Sequence, residues 1–306
     1  MRIPRSLLAV VAGLALAVGA AAAPQAAADP AVAAAPDVDV EAVKGHLEQF
    51  QSIADSSGGN RAAGSQGYAA SADYVASTLT DAGFDVTRQP CDDCGGDDNV
   101  IADWPGGDEA STIMLGGHLD SVSAGPDIND NASGSAALLE IALLLAETKP
   151  ELTNHVRFAW WAAEEQGLIG SQYYVQNSGV DDLKMYLNLD MVGSPNPGYF
   201  VGEIGSEQAQ PFVDYLEGVG KSPEETGACC SDDGSFSQAG VPTTFIFTGA
   251  SDRMTDAQAS KWGGEAGKAY DPCYHAGCDS YPDNIHSEAL NHMADATAHA
   301  LWELAA

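Results

Sequence analysis

The chain has 306 residues, 12 basic against 44 acidic side chains, and a formal charge of −32. A chain this acidic repels phosphate backbones and anionic lipid, which argues against nucleic acid and membrane surfaces as partners. Its length allows one large core or at most two domains.

The N-terminus gives the compartment. Arg2 and Arg5 precede an apolar run from Leu7 to Ala20, and small residues follow to Ala28. A charged start, an apolar middle and a small-residue end read as a secretory signal peptide over residues 1–28. The run is too short for a membrane span, and no later segment qualifies. Residues 29–36 read as a low-complexity leader or short propeptide, and residues 37–306 as the functional domain. Removing residues 1–28 takes away two arginines and no acids, so the charge becomes 10 − 44 = −34. In an exported chain six cysteines imply disulfides. Cys273 and Cys278 are spaced to staple one loop, while Cys91, Cys94, Cys229 and Cys230 have no pairing that spacing alone decides.

After the leader, helical periodicity covers Val40–Ala54 and Tyr68–Ala82, the second closed by Gly83. Six short apolar runs follow: FDVTRQ, NVIADW, TIMLGG, HVRFAWW, MYLNLDM and PTTFIFT. Between them lie helical patterns over Ser133–Thr148, Gly167–Gln176 and Glu207–Val219, and a final one over Glu288–Leu304. Strands alternating with helices, several apolar on both faces, predict a three-layer α/β sandwich. Its central sheet should be mixed and mostly parallel, with helices on both faces. In such folds the chemistry sits past the carboxyl ends of strands.

The candidate residues obey that demand. TIMLGG runs into His118 and Asp120, and GPDINDNASG follows with Asp127, Asn129, Asp130 and Asn131. This second stretch resembles the start of a calcium-binding EF-hand loop, but Ala132 stands where that loop needs glycine and Leu138 where it needs glutamate. Glu164 and Glu165 come after HVRFAWW and Asp190 after MYLNL. Tyr274 and His275 lie inside the Cys273–Cys278 loop. Two histidines among carboxylates form a mixed nitrogen and oxygen donor set, which suits zinc better than calcium or magnesium. There is no G-x-S-x-G for a serine hydrolase and no H-E-x-x-H for a thermolysin-like peptidase.

Four stretches, GGHLDSVSAGPDINDNASGSAALLE, FAWWAAEEQGLIGS, YLNLDMVGSPNPGYF and AYDPCYHAGCDS, together resemble the secreted bacterial double-zinc aminopeptidases of metallopeptidase family 28. The small streptomycete-type leucyl aminopeptidases are the nearest group, and the likeness spans about Asp37 to Ala300. The resemblance implies the zinc-peptidase, phosphorylase/hydrolase-like form of the sandwich. It also implies two zinc ions bridged by Asp130, one held further by His118 and Asp190 and the other by Glu165 and His275. By the same likeness Asp120 receives the free N–H of His118, Glu164 is the general base and Tyr274 steadies the oxyanion. Met191 and Phe247 match positions lining the pocket for the first side chain. Asp37, the Val38 carbonyl and Asp295 match a calcium site, with Asn291 standing where an aspartate is usual.

One departure stands out. The usual Arg-Ser-Asp-His-x-x-Phe segment is Cys230-Ser231-Asp232-Asp233-Gly234-Ser235-Phe236 here, so the substrate-binding arginine is Cys230 and the histidine is Asp233. The adjacent Cys229 and Cys230 suggest a rebuilt loop, tied to Cys91 or Cys94. The resulting expectation is a secreted monomer that removes large hydrophobic N-terminal residues from peptides with a free N-terminus. The rivals are a carboxypeptidase or aminoacylase on the same fold, and a non-catalytic binding domain.

Overall fold

The computed structural model describes residues 34–226 and 230–306, and these fall in one compact unit. The expected signal peptide and Cys229 lie outside the described residues.

Helix α1 (Val40–Ser56) starts at Asp39, whose side chain accepts from the Glu41 N–H. Helix α2 (Gln66–Ala82) starts at Ser65 and stops at Gly83, whose φ of 99° is the left-handed conformation that glycine adopts without strain. Next come β1 (Asp85–Pro90), β2 (Asp98–Asp103) and β3 (Asp108–His118), then α3 (Ser133–Thr148), β4 (Asn154–Trp161), α4 (Ile169–Ser178) and β5 (Leu183–Leu189). The remainder is β6 (Phe200–Val201), α5 (Gln210–Gly218), β7 (Glu224–Glu225), α6 (Asp233–Gln238), β8 (Thr243–Phe247), α7 (Asp256–Trp262) and α8 (Ser287–Ala305). The periodic pattern did not foreshadow β6, β7, α6 or α7, since two to seven residues carry too little of any repeat.

The eight strands form one sheet in the order β1-β2-β4-β3-β5-β8-β6-β7. The pairs β3–β4, β3–β5, β5–β8 and β6–β7 are parallel, and the other three are antiparallel. The sheet is therefore mixed, with a parallel centre.

The alternation of side chains along the central strands divides the core. Ile113, Leu115, Val156, Phe158, Trp160, Met185 and Leu187 pack on one face with residues of α1, α2, α3, α5 and α8. Met114, Ala159, Trp161 and Tyr186 pack on the other with Tyr174 of α4 and Phe236 of α6. Both faces are covered, which makes the expected three layers. Among the described residues no helix is long and apolar enough to cross a membrane.

Candidate metal centre

Four adjacent parallel strands, β4, β3, β5 and β8, end on one edge of the sheet. They deliver Glu164 and Glu165, His118, Asp190 and Phe247 to that edge. The close approach needs glycine: a Cβ on Gly117 would sit 2.5 Å from the Leu189 carbonyl, just before Asp190. Asp130 arrives from the turn before α3, and His275 from the loop closed by the Cys273–Cys278 disulfide.

Asp130 lies between the two histidines with one oxygen toward each. Its Oδ1 is 3.2 Å from His118 Nε2 and its Oδ2 is 3.1 Å from His275 Nε2. Asp190 Oδ1 is 3.4 Å from His118 Nε2, and Glu165 Oε2 is 3.1 Å from His275 Nε2. Ligand atoms of His118, Asp130 and Glu165 fall within 4.8 Å of one another. His118 Nε2, Glu165 Oε1 and Asp190 Oδ1 are buried without a hydrogen-bond partner. Buried polar atoms are nearly always satisfied, so converging unpartnered donor atoms fit a metal ion. Imidazole with carboxylate is a zinc-type donor set.

Protein charges alone hold this cluster uneasily. Burial pushes Glu164 up to about 9, against the pull of His118 and with the push of Asp232, Asp190 and Asp130. Asp130 is also buried, yet the imidazoles of His118 and His275 on either side of it bring it down to about 2. Hydrogen bonds to Asp130 and Glu165 lift His275 to about 10. Asp232 is fully buried, with both oxygens unpartnered, and burial lifts it to about 8.

The residues around the cluster have defined tasks, some different from expectation. His118 Nδ1 is nearer the Asp120 carbonyl (3.2 Å) than its carboxylate (3.6 Å). The carboxylate instead accepts the backbone N–H groups of Glu164 (3.1 Å) and Glu165 (3.3 Å), so it orients the acidic pair. Asp279 accepts the N–H groups of Asn129 (2.8 Å) and Asp130 (3.0 Å), which locks the His275 loop onto the Asp130 turn. Asn131 accepts from Gly134 (2.8 Å) and Met191 (3.2 Å) and donates to Leu189 (2.8 Å). The sequence reading missed Asp279 and the supporting part of Asn131; an acid directly after the stapled loop was the available signal for Asp279.

A cavity of about 160 Å³ opens over the cluster. Glu164, Met191, Cys230, Phe245, Phe247, Ala250 and Tyr274 line it together with Asp130, Glu165, Asp190 and His275. No lysine or arginine is among its described lining residues. Tyr274 stacks on His275 with ring centroids 3.9 Å apart, and burial raises its hydroxyl above the ordinary value, so the phenol keeps its proton.

One expectation needs correction. Cys91 is bonded to Cys94, so neither ties down the Cys230 loop; Cys230 is disulfide-bonded within a pairing that lies outside the described residues. Asp295, one of the residues of the expected calcium site, is held by defined hydrogen bonds. Asp295 Oδ1 accepts the Val38 N–H (2.7 Å), and Oδ2 accepts Tyr215 (3.0 Å) and the Asn291 amide (2.8 Å). Both oxygens are taken by donors, and Val38 offers its N–H to Asp295. The segment before α1 is joined to α8 by the Val38–Asp295 hydrogen bond.

The chain is similar to known proteins in sequence and in fold. The chain is 50% identical over 276 residues to leupeptin-inactivating enzyme 1 of Streptomyces exfoliatus, covering 88% of this chain and 63% of that one. It is 46% identical over 216 residues to an aminopeptidase of Pseudomonas aeruginosa strain UCBPP-PA14, covering 65% of this chain and 40% of that one. The chain thus spans less than two thirds of these curated relatives. A zinc aminopeptidase from Bacillus subtilis shares the fold with a TM-score of 0.72 at 17% identity, over 88% of this chain and 95% of that one. The model of peptidase family M28 matches residues 99–301. The chain belongs to peptidase family M28.

Proposed function

We propose that the chain is a secreted, monomeric zinc aminopeptidase whose functional domain spans residues 37–306, after a signal peptide over 1–28 and a short leader. The observation that carries this is the convergence of unpartnered His118, Glu165 and Asp190 atoms around Asp130. His118 and Asp190 would hold one zinc and Glu165 and His275 a second, with Asp130 shared by both. Bound there, zinc supplies a water of lowered pKa and polarises the scissile carbonyl.

The chain's own residues supply the rest. With the metal charge present to favour its ionised form, Glu164 takes the proton of the attacking water and hands it to the amine that leaves as the C–N bond breaks. The protonated Tyr274 hydroxyl donates to the carbonyl oxygen as negative charge develops there. Glu164 and Asp190 form an acidic wall for a charged α-amino group. Met191, Phe245 and Phe247 make an apolar surface that favours a large hydrophobic first residue. The absence of a cation among the described lining residues disfavours carboxypeptidase and aminoacylase readings, since both need a partner for an α-carboxylate.

The test is hydrolysis of aminoacyl-p-nitroanilides with free and blocked amines, with and without chelator. Free-amine substrates, leucyl among the best, should be cleaved in a chelator-sensitive way. Equal activity on blocked substrates, or indifference to chelation, contradicts the proposal.

A further inference from the structure

Of the four arginines in the described residues, Arg61 alone is completely buried. It forms no ion pair among those residues, although burying a guanidinium without a carboxylate is costly. Its donors go to backbone carbonyls. Nε donates to Pro126 (3.1 Å), one terminal nitrogen to Asp127 (2.9 Å) and the other to Leu119. Its own N–H donates to Ser121 Oγ (2.8 Å), its carbonyl accepts the Ser121 N–H (3.3 Å), and its guanidinium lies 5.3 Å from the centre of the Phe50 ring.

All three carbonyls belong to one loop, which leaves β3 at His118 and returns at Asp130. The acids whose charge Arg61 feels are Asp127, Asp120, Asp279 and Asp130, and burial lowers its own pKa. One side chain therefore grips both ends of the segment carrying two of the proposed zinc ligands, and it does so from a stretch before α2 with no other part in the centre.

We infer that Arg61 is a positioning residue that sets the zinc affinity of this centre by fixing the loop between His118 and Asp130. The inference rests on the zinc reading above. Two effects oppose each other. A buried positive charge repels a dication, so losing the charge alone would tighten zinc binding. Losing the grip frees two ligands and weakens it. Four acids already offset the charge, so the grip dominates. Removing an outer support of this kind typically weakens metal binding about 10–100-fold.

The experiment titrates the chelator-stripped full-length chain with zinc against a chromophoric competing chelator. Arg61→Met and Arg61→Lys should both bind zinc about 10–100-fold more weakly, since an ammonium cannot reach three carbonyls in different directions. Ser121→Ala, which leaves the guanidinium in place, should stay within about threefold of wild type, below that range. A folded Arg61→Lys chain, checked by circular dichroism, with unchanged or tighter zinc overturns the inference. So does a fall in melting temperature with no change in zinc affinity, the signature of a purely structural role. A wild-type chain that binds zinc but cleaves no aminoacyl substrate would overturn the proposed function and leave this inference standing.

Discussion

Two clusters of charge sit on the same sheet and behave in opposite ways. Near the start of β4, Asp103 Oδ1 accepts from His155 Nε2 (2.8 Å) and Arg157 Nε (2.7 Å), and Arg157 donates onward to Asp182 (3.0 Å) and the Tyr174 hydroxyl (2.9 Å). His155 Nδ1 is satisfied by the Gly106 carbonyl at 2.9 Å. At the end of the same strand, Glu164 and Glu165 join Asp130, Asp190 and Asp232 with only two histidines to balance them. There several atoms stay unpartnered and acids rise out of their ordinary range. Where the chain supplies its own counter-charge, the cluster is structural. Where it withholds counter-charge in a buried place, the cluster has the donor atoms that fit a metal ion.

The sharpest way to break this contrast is inside the Glu164–Glu165 pair. Glu164→Gln should keep its zinc and lose about 10²–10⁴ in kcat, the usual weight of a general base. Glu165→Gln should lose one zinc per chain. Equal metal loss in both variants would dissolve the division between proton carrier and ligand.

Removing the cations themselves should come next. At free zinc a thousandfold above Kd, binding adds about 4 kcal/mol to stability. Melting with and without chelator should show that difference, and Asp103 variants should show it undiminished. A chain that melts identically in both conditions would mean the acidic cluster folds without help.

The smallest effect belongs to the compensated cluster. Asp103→Asn should cost about 1.5–2 kcal/mol, as expected for a hydrogen bond to a charged group, and leave kcat unchanged. Its pH dependence has a defined sign. Burial raises Asp103, but hydrogen bonds from His155 and Arg157 pull it below the ordinary 3.8. Its stabilisation is therefore present above pH 3.8 and lost as pH falls through the lower folded value. The hydrogen bond to Asp103 raises His155 above the ordinary 6.5, so that part is present below pH 6.5 and lost as pH rises through the folded value. Denaturation across pH should show the largest gap between wild type and variant from pH 3.8 to 6.5. A gap that keeps growing above that window would contradict the assignment.

What the sequence alone disclosed follows from how local each signal is. The long helices and central strands were legible because their apolar repeats are written in consecutive residues, as in HVRFAWW. The carboxyl-edge rule then placed His118, the acidic pair and Asp190 together. Arg61 was invisible because nothing in GGNRAAGS announces three carbonyl partners some sixty residues away. The Val38–Asp295 hydrogen bond was not legible because a resemblance conveys residue types, not which atom of Val38 faces the carboxylate.

Zinc counted per folded chain by elemental analysis, paired with turnover of leucyl-p-nitroanilide, tests the central claim most directly. The account predicts two zinc ions in the wild-type chain, fewer in Asp130→Asn, and activity that vanishes on chelation and returns with added zinc. Full turnover in a chain stripped of zinc, or an Asp130→Asn chain that keeps both ions, would contradict it.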